Sequence, residues 1–216
     1  MQDIVNIWPL YDLQLITPRL LLRPVRDEDL VPLSAAATAG IHEPDRMPFA
    51  VPWTRQTPEQ LALGTAQNVW RQRASLSVDD WTVSFAVYFG DELIGRQDVR
   101  GASFPERRTV DSGSWLTSSR QGLGLGKEMR AAVLLWAFDH LGAEFATTAA
   151  MAWNQASQGV SKSLGYQPNG VDVVRTGPAE AQESHRFRLA RAEFRRPEWQ
   201  LRTEGHEAVA RFLGLA

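Results

Sequence analysis

Apolar and polar residues alternate over Leu20–Val25 and again over Trp81–Phe89, the period of strands that present one face to a core. Gly90-Asp91 supplies a turn into a second run, Glu92–Arg100, and Arg108–Leu116 follows as a third, which predicts an antiparallel meander. Two helical stretches separate the first strand from this meander. Asp27–Ala39 reads as a helix capped by Asp27. Thr57-Pro58-Glu59-Gln60 opens the second with a capping threonine, a first-turn proline and a glutamine that completes a capping box, and the helix runs to about Ala74. From Lys127 to Leu141 there is no proline, and Met129, Ala132, Val133, Trp136 and Leu141 fall close to one stripe, so that side of a helix faces the core. Glu144–Met151 reads as a strand, a helix begins at Asn154, and strands follow near Tyr166–Arg175 and Ser184–Ala192. The order is β-α-α-β-β-β-α-β-α-β-β, an α/β domain over residues 1–194 with a short N-terminal extension. A C-terminal extension, 195–216, carries a further helix at Glu204–Phe212.

One segment resists this pattern. Gly40–Thr54 contains Pro44, Pro48 and Pro52, which forbid regular structure, yet Met47, Phe49 and Trp53 are costly to leave in water. A loop both irregular and apolar packs onto something: the wall of a substrate cleft or the core itself.

Composition narrows the chemistry. Across 216 residues a net charge of −2 gives no support for a nucleic-acid or membrane surface. With no cysteine there is no disulfide, thiol nucleophile or thiolate metal site. His42, His140, His185 and His206 lack metal-ligand spacing, so no metal is expected; His140, near a helix end, suits the helix dipole. The chain shows no signal-peptide pattern and no apolar stretch of membrane-span length, so a cytoplasmic protein is expected.

The most specific feature is Gln121-Gly122-Leu123-Gly124-Leu125-Gly126-Lys127, set between a strand and a helix. A helix that starts after such a turn aims unpaired N–H groups and its positive dipole end at one spot, an anion site that glycines let a phosphate approach closely. A Walker A loop would need a glycine at 121 and a hydroxyl residue at 128, where Gln121 and Glu128 stand. The dinucleotide fingerprint fails at Met129. The spacing Gln121-x-x-Gly124-x-Gly126 fits Q/R-x-x-G-x-G/A, and here the chain resembles the GNAT N-acyltransferases, whose pyrophosphate loop has this form. Asn154-Gln155-Ala156-Ser157 followed by Ser161-Lys162-Ser163-Leu164-Gly165-Tyr166 is similar to a second family pattern. Thr17-Pro18-Arg19-Leu20-Leu21-Leu22-Arg23-Pro24, with Arg26-Asp27-Glu28-Asp29-Leu30, resembles the opening of its RimJ/RimL branch. Together these cover roughly residues 17–190.

The resemblance implies a GNAT fold: a mixed, mostly antiparallel central sheet splayed at the strands flanking the loop. Acyl-CoA would lie in that gap with its pyrophosphate on Gln121, Gly122, Leu123, Gly124, Leu125, Gly126 and Lys127, and with Asn154 also in the cofactor-binding set. The reaction implied is direct transfer of an acyl group to a primary amine, which needs no protein nucleophile and so suits a chain without cysteine. Asp111 stands where the branch carries an acidic residue and is the candidate base, acting directly or through water, with its basicity raised if the cleft is apolar. The tyrosine that many members place at the position of Ser161 is missing, so Ser157 is the candidate hydrogen-bond donor to the CoA sulfur; local capping is the other reading of that serine. A backbone N–H near Trp115 and Leu116 would hold the oxyanion. His42, Arg46, Met47, Phe49 and Trp53 would line the substrate side. Residues 44–54 taken with 110–116 resemble a small actinobacterial subgroup that includes a succinyl-CoA-binding transferase. This raises succinyl-CoA beside acetyl-CoA as donor, with Arg46 or His42 meeting the carboxylate. The acceptor would be a small-molecule or peptide amine; eight tryptophans and the C-terminal extension suit a homo-oligomer. A non-catalytic acyl-CoA-binding or sensor protein on the same fold is the alternative.

Overall fold

In a computed structural model, which describes residues 3–215, the chain forms fifteen strands and α-helices. They are β1 (Gln14–Ile16), β2 (Leu20–Pro24), α1 (Leu30–Thr38), α2 (Pro58–Ala74), β3 (Asp80–Phe89), β4 (Glu92–Ala102), α3 (Phe104–Arg107) and β5 (Thr109–Leu116). Then come α4 (Leu125–Asp139), β6 (Phe145–Met151), α5 (Gln155–Ser163), β7 (Gln167–Gly177), β8 (Glu180–Ala190), β9 (Arg202–Glu204) and α6 (His206–Phe212). All nine strands hydrogen-bond into one sheet in the order β7-β8-β6-β5-β4-β3-β2-β1-β9. Every neighbouring pair is antiparallel except β5 with β6, so the sheet is mixed and mostly antiparallel, as the family resemblance implies.

Helices cover both faces. Phe85 packs edge-on against Trp136 of α4, while Ala86, the next residue, clusters with Leu33 of α1 and Val69 of α2. Successive strand residues point to opposite faces, so α4 lies on one side of the sheet and α1 and α2 on the other. Helix α4 is buried nearly all round, and its core includes Met129, Ala132, Val133, Trp136 and Phe138. Glu128 and Arg130 are buried on it too, which a single apolar stripe does not anticipate.

The sheet parts in the middle. β5 and β6 pair only at Thr109–Phe145, Val110–Ala146 and Asp111–Thr147, although β5 continues to Leu116 and β6 to Met151. The last link is a side chain: the Thr148 hydroxyl donates to the Ser112 carbonyl at 2.9 Å.

Several sequence expectations change. The capping box of Thr57 and Gln60 forms, and the Asn154 side chain accepts the N–H of Ser157 at 3.1 Å to cap α5. Asp27 does not cap α1, because its carboxylate is taken by Arg73 and Trp70; a 3-10 turn at Asp27–Asp29 comes first. Asp29 accepts the Arg26 N–H at 2.7 Å and also holds Arg23 and Tyr88. The final hairpin turns at Pro178-Ala179, so β8 starts at Glu180, four residues before the expected Ser184. β1 and β9 carry no sequence pattern; they pair with each other across the far edge, and Val209 and Leu213 then bury against the main core. No helix among the described residues is long and apolar enough to cross a membrane.

Two links fasten distant segments to α4. At its start, Glu128 accepts from the Thr17 hydroxyl (2.6 Å), the Arg19 N–H (3.0 Å) and the Arg19 guanidinium (2.7 Å). At its end, the His140 ring packs at a tilt against His206 of α6 with centroids 4.3 Å apart. Removing Glu128 leaves the Arg19 N–H without its acceptor and the buried Thr17 hydroxyl with only the longer bond to the Leu20 carbonyl at 3.3 Å. Glu128→Ala should therefore lower unfolding stability by about 2–4 kcal/mol in a urea titration, and a loss of under about 0.5 kcal/mol would contradict this linkage. Burial holds the His140 imidazole below its ordinary value of 6.5, and His206 pushes the same way against Asp139. A depressed histidine favours the neutral form in the fold. The stability it supports should be full above about pH 6.5 and fall as the pH drops further, a decline that melting curves should show weakened in His140→Gln.

Candidate active site

Alternation along β5 divides its residues between two environments. Trp115 faces the α1–α2 side, with its ring 6.0 Å from that of Trp53. By the same alternation Asp111 and Gly113 face that side, and both line an open cavity of about 530 Å³ with Gln72, Asp80, Asp98 and Arg100. Ser112, Ser114 and Leu116 face α4. Asp111 is exposed, and the Thr147 hydroxyl donates to its carboxylate at 2.8 Å. The expected apolar surroundings are thus replaced by polar ones, with three carboxylates on one cavity wall.

Backbone groups follow the same alternation. The carbonyls of Val110 and Ser112 turn toward β6, where the hydroxyls of Thr147 and Thr148 reach them at 3.4 and 2.9 Å. Ser114 and Leu116 turn the same way, but β6 has no residue paired with them. The gap therefore exposes backbone groups of Ser114 and the N–H of Leu116, whereas the Trp115 backbone points at Arg96 on β4.

The glycine turn sits at the wide end of this gap. Gly122 and Gly124 adopt left-handed φ of 74° and 79°, which an L side chain would strain. The first helical bond of α4 runs from the Glu128 N–H to the Gly124 carbonyl at 3.1 Å. Among the described residues, the N–H groups of residues 122–127 meet no acceptor at all. A Cβ on Gly126 would only touch Leu116, at 3.8 Å, so the fold itself does not require glycine there. Gln121 behaves differently from its neighbours. Its side-chain amide donates to the carbonyls of Ile41 (2.8 Å) and Leu116 (2.9 Å), and its own N–H bonds Ser118. Gln121 thus pins the turn to β5 and to the end of α1 instead of offering donors outward. Arg19 anchors the opposite flank by donating to the Leu123 carbonyl at 3.0 Å. Lys127 is exposed at the helix start, and Leu125 is buried beneath it.

On the far side of the gap stands α5. Asn154 spends its side-chain oxygen on the cap. Ser157 is half-buried, and its hydroxyl has no partner among the described residues. Ser161 is fully buried and donates to the Ser157 carbonyl at 3.2 Å.

The proline-rich loop is a wall with a built interior. Met47 is buried, and His42, Phe49, Trp53 and Trp115 form a continuous chain of ring contacts. Both nitrogens of His42 are engaged, by the Glu43 carbonyl and the Thr54 hydroxyl at 2.7 Å each, so this ring holds the loop and is not free for a ligand. Arg46 reaches across the gap to lie over the Trp153 ring at 5.6 Å and has no carboxylate within 4 Å among the described residues. Arg55 pairs with Glu180 of the β7–β8 hairpin at 3.0 Å, so the loop spans from α1 to the other half of the sheet.

Sequence reasoning passed over the floor of the gap. Arg130, buried on α4, donates to Ser114 on β5 and to Thr148 on β6, each at 3.2 Å, and so bridges the two diverging strands. The hydroxyl of Tyr166 lies beside Ser112 and Arg130 without reaching hydrogen-bond geometry to either. Burial pushes its phenol above the ordinary value, while the charge of Arg130 opposes the rise. The available signal was a charge at Arg130 flanked by Met129 and the alanine pair of a core-facing helix. Among the described residues no group of three histidines or carboxylates could hold a metal ion.

The fold matches that of Mycobacterium smegmatis RimJ, solved as a complex with CoA-disulfide, with a TM-score of 0.73 and 18% identity over 94% of this chain and 95% of that one. It also matches RimL, a ribosomal L7/L12 alpha-N-protein acetyltransferase solved with coenzyme A, with a TM-score of 0.65 and 14% identity over 81% and 96% of the two chains. A chimera of spermidine N-acetyltransferase SpeG from Vibrio cholerae and hSSAT aligns at a TM-score of 0.63 and 15% identity, over 81% and 96%. The model of the acetyltransferase (GNAT) domain matches residues 19–167, more than half of the sequence, and the chain belongs to the GNAT acetyltransferase family.

Proposed function

We propose that this protein transfers an acyl group from acyl-CoA to a primary amine within a ternary complex. The observation that carries it is the run of N–H groups at residues 122–127 that meet no acceptor among the described residues and open onto a gap where β5 offers free backbone groups. A diphosphate satisfies such donors at a helix start, and an extended pantetheine chain fits a missing strand position beside Ser114 and Leu116. The thioester then lies along the open β5 edge, where the N–H of Ser114 or Leu116 receives the oxyanion, and Asp111 at the fork is reached through water.

The acceptor approaches from the α1–α2 side, where the cavity meets Asp111. Arg100 and Arg96 already pair Asp80 and Asp98 on its wall, which leaves Asp111 as the carboxylate that suits a positively charged amine. Asp111 takes the proton as nitrogen attacks, and the Ser157 hydroxyl, free of protein partners, donates to the sulfur as the C–S bond breaks. On the donor side, Arg46 stands over the gap without a carboxylate partner, and this supports a donor whose acyl group ends in one, succinyl-CoA rather than acetyl-CoA.

Calorimetry with CoA esters tests the cofactor half. The wild type should bind them, Gly126→Ala should keep its stability yet bind on the order of tenfold more weakly, and succinyl-CoA should bind more tightly than acetyl-CoA by a margin that Arg46→Ala removes. No binding, or equal affinity for the two esters, would count against the respective part. The chemical half is read from CoA release with a panel of amines: Asp111→Asn should lower kcat by about 10²–10⁴ with ester affinity unchanged. Undiminished release from the Asp111→Asn, Ser157→Ala double variant would remove both residues from the mechanism.

A further inference from the structure

Arg130 is a cation with an unusual setting. It is 4% exposed, no carboxylate lies within 4 Å of it among the described residues, and its Nε–H has no partner. The two hydrogen bonds it does make go to neutral hydroxyls, Ser114 and Thr148, which stand on opposite sides of the parting strands. The hydroxyls of Tyr166 beside it and of the adjoining Ser112 are buried and unpaired as well. A buried guanidinium without a counter-ion is unfavourable unless negative charge arrives beside it. The nearest acidic side chain on α4, Glu128, is committed to Arg19 and Thr17. Asp111 lies on the other face of the sheet, engaged by Thr147.

The charges therefore flank the fork from opposite faces, Asp111 where an amine arrives and Arg130 beneath the gap. We infer that Arg130 is a positioning residue for the leaving group: it places fixed positive charge under the fork, acting with Ser114 and Thr148 to stabilise the CoA thiolate. The inference rests on the acyl-CoA reading above. In the step it serves, the amine nitrogen forms a C–N bond to the thioester carbonyl and its proton passes to Asp111 or to water. The C–S bond breaks with its electron pair on sulfur, and the thiolate, held by a hydrogen bond from the Ser157 hydroxyl, stands in the field of Arg130 until it takes a proton from water. Electron density flows from the Asp111 face to the Arg130 face, the direction a preorganised field favours.

CoA itself is the probe, so the acceptor need not be known. The thiol of bound CoA is titrated by its thiolate ultraviolet absorbance in the wild type, Arg130→Lys and Arg130→Met, with binding measured separately by calorimetry. The thiol should ionise about one pH unit lower on the wild type than in free CoA, a tenfold change in its ionisation constant. Arg130→Lys should keep most of that shift, and Arg130→Met should lose it while still binding CoA. Should Arg130→Met not fold, Arg130→Gln replaces it, since glutamine keeps donors for Ser114 and Thr148 without the charge. A bound thiol that titrates like the free one in the wild type, or that stays depressed in the neutral variants, overturns the inference. Failure of the wild type to bind CoA would instead overturn the acyl-CoA reading.

Discussion

The structure depends on a ladder that stops early. β5 and β6 are parallel for three residue pairs and then diverge, although both strands continue. A sheet interior does not normally tolerate this, because main-chain donors and acceptors left without partners away from water are costly. Side chains manage the break here. Thr147 and Thr148 reach back to β5 carbonyls, Arg130 spans the opening from below, and Gln121 takes the Leu116 carbonyl at the wide end. What stays open is a short length of β5 edge that an extended, hydrogen-bonding molecule can complete.

Rigidity of the glycine turn follows from the same economy of partners. The glycines free the loop to turn its amides outward, and flexibility alone would scatter them. Gln121 ties one flank to Ile41 and Leu116, and Arg19 ties the other to the Leu123 carbonyl while pairing with Glu128. The opening segment Thr17–Arg19 is thus a brace for a loop more than a hundred positions later. Its resemblance to the start of a family branch has this physical meaning: the residues hold the helix start in place.

Features governed by local chemistry were readable from the residues. Thr57 with Gln60, the glycines before α4, and Asn154 ahead of α5 each act within a few positions of themselves. Features decided at a distance were not. Spacing makes Asp27 the cap of α1, but Trp70 and Arg73 on α2 take its carboxylate. Gln121 looked like a ligand-facing residue because its partner Ile41 lies eighty positions away. His42 looked available for a substrate carboxylate until Thr54 closed on its far nitrogen. β1 and β9 have three residues each, too few for a periodicity, and exist as strands only through their partners.

That last pairing bears on how the molecule is made. β1 is sandwiched between β2, a near neighbour in sequence, and β9, which leaves the ribosome after the other eight described strands. Until β9 arrives, one side of β1 remains an open template for stray strands, and the seats of Val209 and Leu213 stand vacant. The sheet edge therefore closes with a late stitch, and the nascent chain is most exposed to mispairing in the interval before β9 emerges.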